Sequence, residues 1–156
     1  MIHHISIPAK NPAHVASVLA ELFNSKYCAP FPSNPGSYVA LAADDYGTVI
    51  EVYPLGTQMM PGEDDKPIQF QLQNTSNQFI ATHVAISIPL NQSQIEAIAD
   101  REKWRCLRCS RGNFEVIEFW AENAVLLELA TPELAEQYTS AFTPEKIAGY
   151  FAAQNS

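Results

Sequence analysis

Positive charge is scarce in this chain. Nine Lys and Arg stand against 17 Asp and Glu in 156 residues, a formal net charge of −8 with a pI near 4.8. An acidic surface repels nucleic acid and anionic membrane, so neither is an expected partner. Long apolar runs are missing as well. None approaches 18 residues, so no membrane-spanning helix is expected. The N-terminus, Met1-Ile2-His3-His4, has no basic segment followed by an apolar stretch, and so no secretory leader is expected. Cysteine is sparse and odd in number, three in all, which fits reduced thiols in the cytoplasm. Charged residues make up only 17% of the chain and hydrophobic residues 47%, a balance that supports a packed core and excludes disorder.

The order of elements repeats. Residues 2–8 alternate like a strand, and Asn11-Pro12 opens a helix whose apolar stripe is Val15, Val18, Leu19 and Leu22. Strands are expected at 38–43 and 48–53 around the turn Asp44-Asp45-Tyr46-Gly47, with a short strand near 26–29 completing the set. Residues 54–67 read as a long loop. Residues 68–79 read as a Gln-rich connector whose first half, with Ile68, Phe70 and Leu72 alternating, is a candidate extra strand. The second half gives a strand at 82–88, a helix at 92–101, and strands at 104–110, 114–121 and 125–130. Ile-Ser-Ile-Pro occurs twice, at 5–8 and 86–89. The tail carries two helices, each opened by Thr-Pro-Glu, at 131–133 and 143–145.

Within this repeat, His4 and Glu51 are 47 positions apart and His83 and Glu128 are 45 apart. Strand alternation puts His4 on the face of Ser6, opposite Ile5 and Ile7. It puts His83 with Ala85 and Ser87, opposite Val84, Ile86 and Ile88. Glu51 opposes Ile50 and Val52, and Glu128 opposes Leu127 and Leu129. In all four strands the polar side chain is on the face opposite an apolar set. The apolar faces bury; the polar faces are left to line a cleft. Two imidazoles and two carboxylates brought together suit a divalent metal such as Zn, Ni, Fe or Mn. His3 shares the face of Ile5 and Ile7 and is expected to be half-buried and structural.

With His4-Ile-Ser-Ile and Ile50-Glu51-Val52-Tyr53 in one half, and His83-Val-Ala-Ile and Leu127-Glu128-Leu129 in the other, the chain resembles the vicinal oxygen chelate superfamily over about residues 2–131. That superfamily includes glyoxalase I, fosfomycin resistance proteins and extradiol dioxygenases. The resemblance implies an α+β fold: two tandem β-α-β-β-β modules forming a curved mixed sheet with a metal cleft, plus C-terminal helices. One domain would span 1–156, with module one at about 1–67, module two at about 80–131 and a helical tail at 132–156. It implies metal ligands at His4, Glu51, His83 and Glu128, a set similar to that of bacterial glyoxalase I. It implies a lyase or isomerase acting on a small oxygen-bearing substrate, with Glu51 or Glu128 as general base, and a homodimer. It leaves open whether the cleft forms within one chain or between modules of two. Pro8 stands where glyoxalase I enzymes place a glutathione-holding Arg, and Ala121-Glu122-Asn123-Ala124 replaces an Asp-Pro-Asp-Gly-like turn. Two alternatives on the same fold are a metal-free binding protein of the bleomycin-resistance type and an Fe(II) dioxygenase using His4, His83 and Glu128.

Other features have plainer readings. Cys106 and Cys109 point to opposite faces of a strand, so their C-x-x-C spacing gives neither a disulfide nor a shared metal. Cys28 reads as a small buried residue. Arg101, Lys103, Arg105, Arg108 and Arg111 concentrate five of the nine basic residues. They read as charge protecting an edge strand, with an anion-holding role for a substrate as the sharper alternative. Glu118 shares a face with Trp120 and is a candidate second acid. Tyr53 shares the Glu51 face, and Met59-Met60-Pro61-Gly62 is a candidate cover for the cleft.

Overall fold

A computed structural model describes residues 4–31, 34–60, 69–73 and 82–146. Module one runs β1 (His4–Ala9), α1 (Pro12–Leu22), β2 (Tyr27–Pro30), β3 (Tyr38–Leu41) and β4 (Val49–Pro54). A hairpin follows, β5 (Thr57–Met60) and β6 (Gln69–Leu72). Module two runs β7 (Val84–Ser87), α2 (Gln92–Glu102), β8 (Cys106–Ser110), β9 (Glu115–Ala121) and β10 (Val125–Ala130), and α3 (Pro132–Ala141) comes after it. The two four-stranded sheets have matching orders, β1-β4-β3-β2 and β7-β10-β9-β8. In each, the first and last strands of the module pair in parallel and the other neighbours antiparallel. The duplicated α+β architecture expected from the sequence is therefore present. His3 and most of the second tail helix lie outside the described residues.

Local chemistry explains the helices. The Asn11 side chain accepts from the His14 N–H at 3.2 Å, and Pro12 occupies the first turn, where no backbone donor is needed. α1 then buries Val15, Ala16, Val18, Leu19, Ala20 and Leu22. α2 opens with a full capping box, Asn91 and Gln94 each satisfying the other's backbone N–H, and ends on Lys103 in the left-handed region. Its buried residues are Ile95, Ile98 and Ala99. Pro8 is tolerated inside β1 because β1 is an edge strand.

One apolar core serves both modules. Ile7, Ile50 and Val52 from the first sheet and Ile117, Phe119, Leu127 and Leu129 from the second belong to a single buried cluster with the helix residues. Polar contacts seal the junction. The Glu122 carboxylate accepts from the backbone N–H groups of Lys10 and Asn11 at 2.6 and 2.8 Å, just before α1. Glu122 and Asn123 both have positive φ, 50° and 53°, in the turn between β9 and β10. Asn123 holds the α2–β8 connection through the Arg105 N–H and the Lys103 carbonyl. Between the helices, Arg101 donates to Glu21 at 2.7 and 2.9 Å and to Glu102 at 2.7 Å, and His14 Nε2 lies 2.7 Å from Glu102.

Two expectations need correction. Residues 57–60 form β5 rather than loop, paired from Thr57↔Leu72 to Met60↔Gln69. Thr-Gln-Met-Met has no period-two pattern, so pairing with β6, not local sequence, makes it a strand. The hairpin starts at Gly56, whose φ of +92° and approach to the Gln73 carbonyl, 2.3 Å from where a Cβ would sit, admit only glycine. Cys28 is exposed, not buried, because β2 is the outer edge of its sheet and all four of its residues are exposed. The doubled Ile-Ser-Ile-Pro is offset by two residues against the His positions, and the pairing agrees: Ser6 pairs with Glu51, whereas Ser87 pairs with Ala130.

The interhelical ion cluster sets an acid sensitivity. Hydrogen bonds from Arg101 hold both Glu21 and Glu102 below the ordinary carboxylate range. A carboxyl held low in the folded state adds stability that is present above its unfolded pKa and is lost as the pH falls through the folded one. Glu102→Gln is expected to cost about 0.5–1 kcal/mol at pH 7, a value suited to exposed pairs. The difference from the parent should shrink below about pH 4. Urea unfolding at pH 7 and pH 3 checks this; a difference that does not change with pH would contradict it.

Candidate functional site

The pairing registers place Glu51 and Glu128 in equivalent positions; His4 opens β1, whereas His83 lies one residue before β7, which begins at Val84 rather than at 82. In module one Glu51 lies across from Ser6, two residues after His4. In module two Glu128 lies across from Ala85, two residues after His83. The faces carrying them are not covered by the core. His4 and His83 are exposed, Glu51 and Glu128 are half-buried, and Ala85 and Ser87 beside Glu128 are exposed.

Across the first sheet the residues on this face form rows. One row is His4, Val49, Leu41 and Tyr27; the next is Ser6, Glu51, Val39 and Ala29. A pocket of about 330 Å³ is lined by Tyr27, Leu41 and Val49 of the first row and by Ala29 of the second, among others. Glu51 Oε2 accepts two hydroxyl hydrogen bonds, from Ser6 Oγ at 2.8 Å and from the Tyr53 phenol at 3.0 Å. Tyr53 is itself buried. Phe70 of β6 stacks on its ring at 5.5 Å and Phe31 meets its edge at 6.1 Å. Desolvation, with the Glu51 carboxylate as acceptor and neighbouring charge, pushes the phenol up to about 12, so Tyr53 stays a donor. The β5–β6 hairpin thus brings Phe70 onto the wall of the Glu51 site. Met59 and Met60 lie in that hairpin, while Pro61 and Gly62 lie outside the described residues.

The second sheet satisfies its carboxylate differently. Glu128 lies directly across from Glu118, and Leu126 across from Trp120. Arg111, just past the end of β8, reaches over both acids. Its Nε and Nη2 donate to Glu128 Oε1 at 2.9 and 2.6 Å, and Nη2 donates to Glu118 Oε1 at 2.7 Å. The Trp120 indole donates to Glu118 Oε2 at 3.1 Å. The Arg111 hydrogen bond is the main reason that the Glu118 carboxyl is held below its ordinary range. Of the other basic residues singled out, Arg101 engages Glu21 and Glu102, and Arg108 engages Glu115 and Gln92. On edge strand β8 this matches the charge-protection reading. Burial pushes the Cys106 thiol up to about 11, while Cys109 lies on the opposite face, so the C-x-x-C spacing is structural.

The donor types suit a divalent cation: two imidazoles and two carboxylates, one of them held by neutral hydroxyls. Within one chain they stand as two half-sites, His4 with Glu51 and His83 with Glu128, on separate sheets. Among the described residues no group of three or more His, Cys, Asp or Glu side chains is gathered at one point. Sequence reasoning missed Ser6 and Arg111 as the partners of the two carboxylates. Ser6 was legible as the next residue on the His4 face. Arg111 needed the fold, because it crosses β9 to reach β10.

Solved structures supply the comparison. The fosfomycin resistance protein FosX from Listeria monocytogenes, in a monoclinic form at pH 6.5, aligns with 91% of this chain and 98% of its own, at a TM-score of 0.53 and 16% identity. The same protein complexed with Mn(II) and sulfate gives 0.50 and 18% over the same shares. The chain has the vicinal oxygen chelate fold. A glyoxalase/dioxygenase from Nostoc punctiforme is similar at a TM-score of 0.47 and 11% identity, over 83% of this chain and 88% of that one. At such identities the likeness to these proteins is one of fold. No protein-family model and no curated protein matches the sequence. No helix among the described residues is long and apolar enough to cross a membrane.

Tyr53 reports on Glu51. Its ionisation is expected near pH 12, above the ordinary 10.0, and Glu51→Gln should lower it by removing the charge. The fall should be only partial, since desolvation is the larger cause. Phenol titration by NMR with ring-labelled tyrosine checks this. A Tyr53 transition at 10 in the parent protein would contradict the Glu51–Tyr53 contact.

Proposed function

We propose that this protein is a glyoxalase-like, metal-dependent enzyme of the lyase or isomerase type, acting on a small oxygen-bearing substrate. The observation that carries this is the repeated placement of a Glu across from the residue two positions after its module's His, Ser6 in one sheet and Ala85 in the other, on the uncovered face of each sheet. His4, Glu51, His83 and Glu128 would hold the ion, and FosX, of the same fold, is known complexed with Mn(II). A bound divalent ion supplies Lewis-acid polarisation of two vicinal substrate oxygens.

The remaining chemistry belongs to the chain. Glu51 is the better general base, since its carboxylate is oriented by two neutral hydroxyls, whereas Glu128 is paired with the Arg111 guanidinium. Ser6 and Tyr53 fix Glu51 Oε2 and would stay donors while the other carboxylate oxygen, Oε1, takes a substrate proton. Tyr27, Leu41 and Val49 offer the substrate an apolar wall. Pro8 lies across from Tyr53, at the position considered above for a glutathione-holding Arg, and provides no donor for a carboxylate. A homodimer is part of this reading: His4 with Glu51 and His83 with Glu128 stand on separate sheets, and a second copy would let a half-site on one sheet meet its complement. A metal-free binding protein is the second reading, and it is favoured by one observation, the guanidinium of Arg111 paired with Glu128.

Calorimetric titration of the chelator-treated chain with Mn(II), Ni(II), Zn(II) and Fe(II) separates the two. Saturable binding of at least one of these ions, lost in the His83→Ala, Glu128→Ala double variant, is expected; parent binding no tighter than the variant's would leave the metal-free reading. On a substrate found by screening small hydroxycarbonyls and epoxides, Glu51→Gln should lower turnover by about 10²–10⁴-fold. The glutathione hemithioacetal of methylglyoxal should be turned over poorly by metal-loaded protein. Efficient turnover of it would overturn the inference from Pro8. Mixing His4→Ala with His83→Ala chains should restore metal binding; no recovery would mean that each chain holds its own site.

A further inference from the structure

The least expected contact on the second sheet is that of Arg111. Glu118 and Glu128 face each other across β9 and β10, and their side chains are only 17% and 13% exposed. Like charges directly opposite in a sheet repel, the more so when partly withdrawn from water. Arg111 removes that repulsion. Its Nη2 lies 2.7 Å from Glu118 and 2.6 Å from Glu128, and its Nε also donates to the same Glu128 oxygen. The planar guanidinium is suited to this bridging task in a way that an ammonium is not. Arg111 is itself 31% exposed at the side chain and comes from the turn after β8, so it has room to withdraw toward solvent.

We propose that Arg111 is a tethered stand-in cation for the Glu118–Glu128 pair, and that a divalent metal reaching Glu128 must displace it. This rests on the metal reading above. Arg111 holds Glu128 through Oε1 and sets a positive charge beside whichever oxygen a metal would take, so the ion must overcome both that repulsion and a pair of charge-assisted hydrogen bonds. Arg111 therefore weakens metal binding while holding the metal-free sheet together. Glu118 has the opposite effect. It shares Arg111, adds negative charge beside Glu128, and retains the displaced guanidinium. The arrangement lets the sheet keep two facing carboxylates without a resident ion.

The test uses the full chain, stripped with chelator and titrated with Mn(II) by calorimetry, together with thermal melting in the presence and absence of Mn(II). Arg111→Met should bind Mn(II) about tenfold more tightly than the parent or better, since it leaves two carboxylates without a counter-ion. Its melting temperature should fall without metal and rise more than the parent's when Mn(II) is added. Glu118→Gln should bind Mn(II) more weakly. Arg111→Lys, which keeps the charge but loses the fork, should fall between Arg111→Met and the parent, and it carries the test if Arg111→Met does not fold. Binding by a folded Arg111 variant that is no tighter than the parent's would overturn the proposal and leave the metal reading standing. Absence of Mn(II) binding in the parent and in all variants would overturn both.

Discussion

The parallel pairing of the first and last strands of each module is the constraint on which the rest depends. β1 lies on β4 and β7 on β10, and the pleat then decides everything about facing. Ile50, Val52, Leu127 and Leu129 go into the shared core. Glu51 and Glu128 are turned the other way by the same alternation. A slip of one residue in either register would bury a carboxylate and expose a core side chain, so packing itself fixes the placement of the acids. The apolar set is as much a part of the site as the polar one.

Each sheet then had to accommodate a half-buried carboxylate, and the two did so by different means. Module one uses neutral donors, Ser6 and Tyr53, with the ring of Tyr53 pinned under Phe70 of the β5–β6 hairpin. Module two uses a cation, and faces its Glu with a second Glu. Duplication is therefore retained in backbone and in the His and Glu positions but not in the supporting side chains. Such asymmetry is suited to chemistry in which one carboxylate moves a proton and the other holds an ion. The polar seam made by Glu122, Arg101 and His14 ties the modules into one body around a common core.

Much of this fold could be read from periodicity. The helix cap at Asn11 and the apolar faces of β4 and β10 were legible because they are local and repeat at short range. The equivalence of His4 with His83 was legible as well, since a matched interval survives duplication even when identity does not. What could not be read was set by non-local pairing. β5 became a strand only through β6, and Cys28 lost its burial because β2 ended up as an outer edge. The Glu118–Glu128 pair follows from counting back from the turn at Glu122–Ala124, but the third member, Arg111, reaches its partners across an intervening strand.

The central claim is that the two half-sites act on one ion through one imidazole each. Pulsed electron paramagnetic resonance of the Mn(II)-loaded protein tests it most directly, because nitrogen coupling reports imidazole ligation without any substrate. Two coupled imidazole nitrogens are expected, with one lost in His4→Ala and the other in His83→Ala. Bound Mn(II) with no nitrogen coupling, or a spectrum unchanged by both substitutions, would contradict the account.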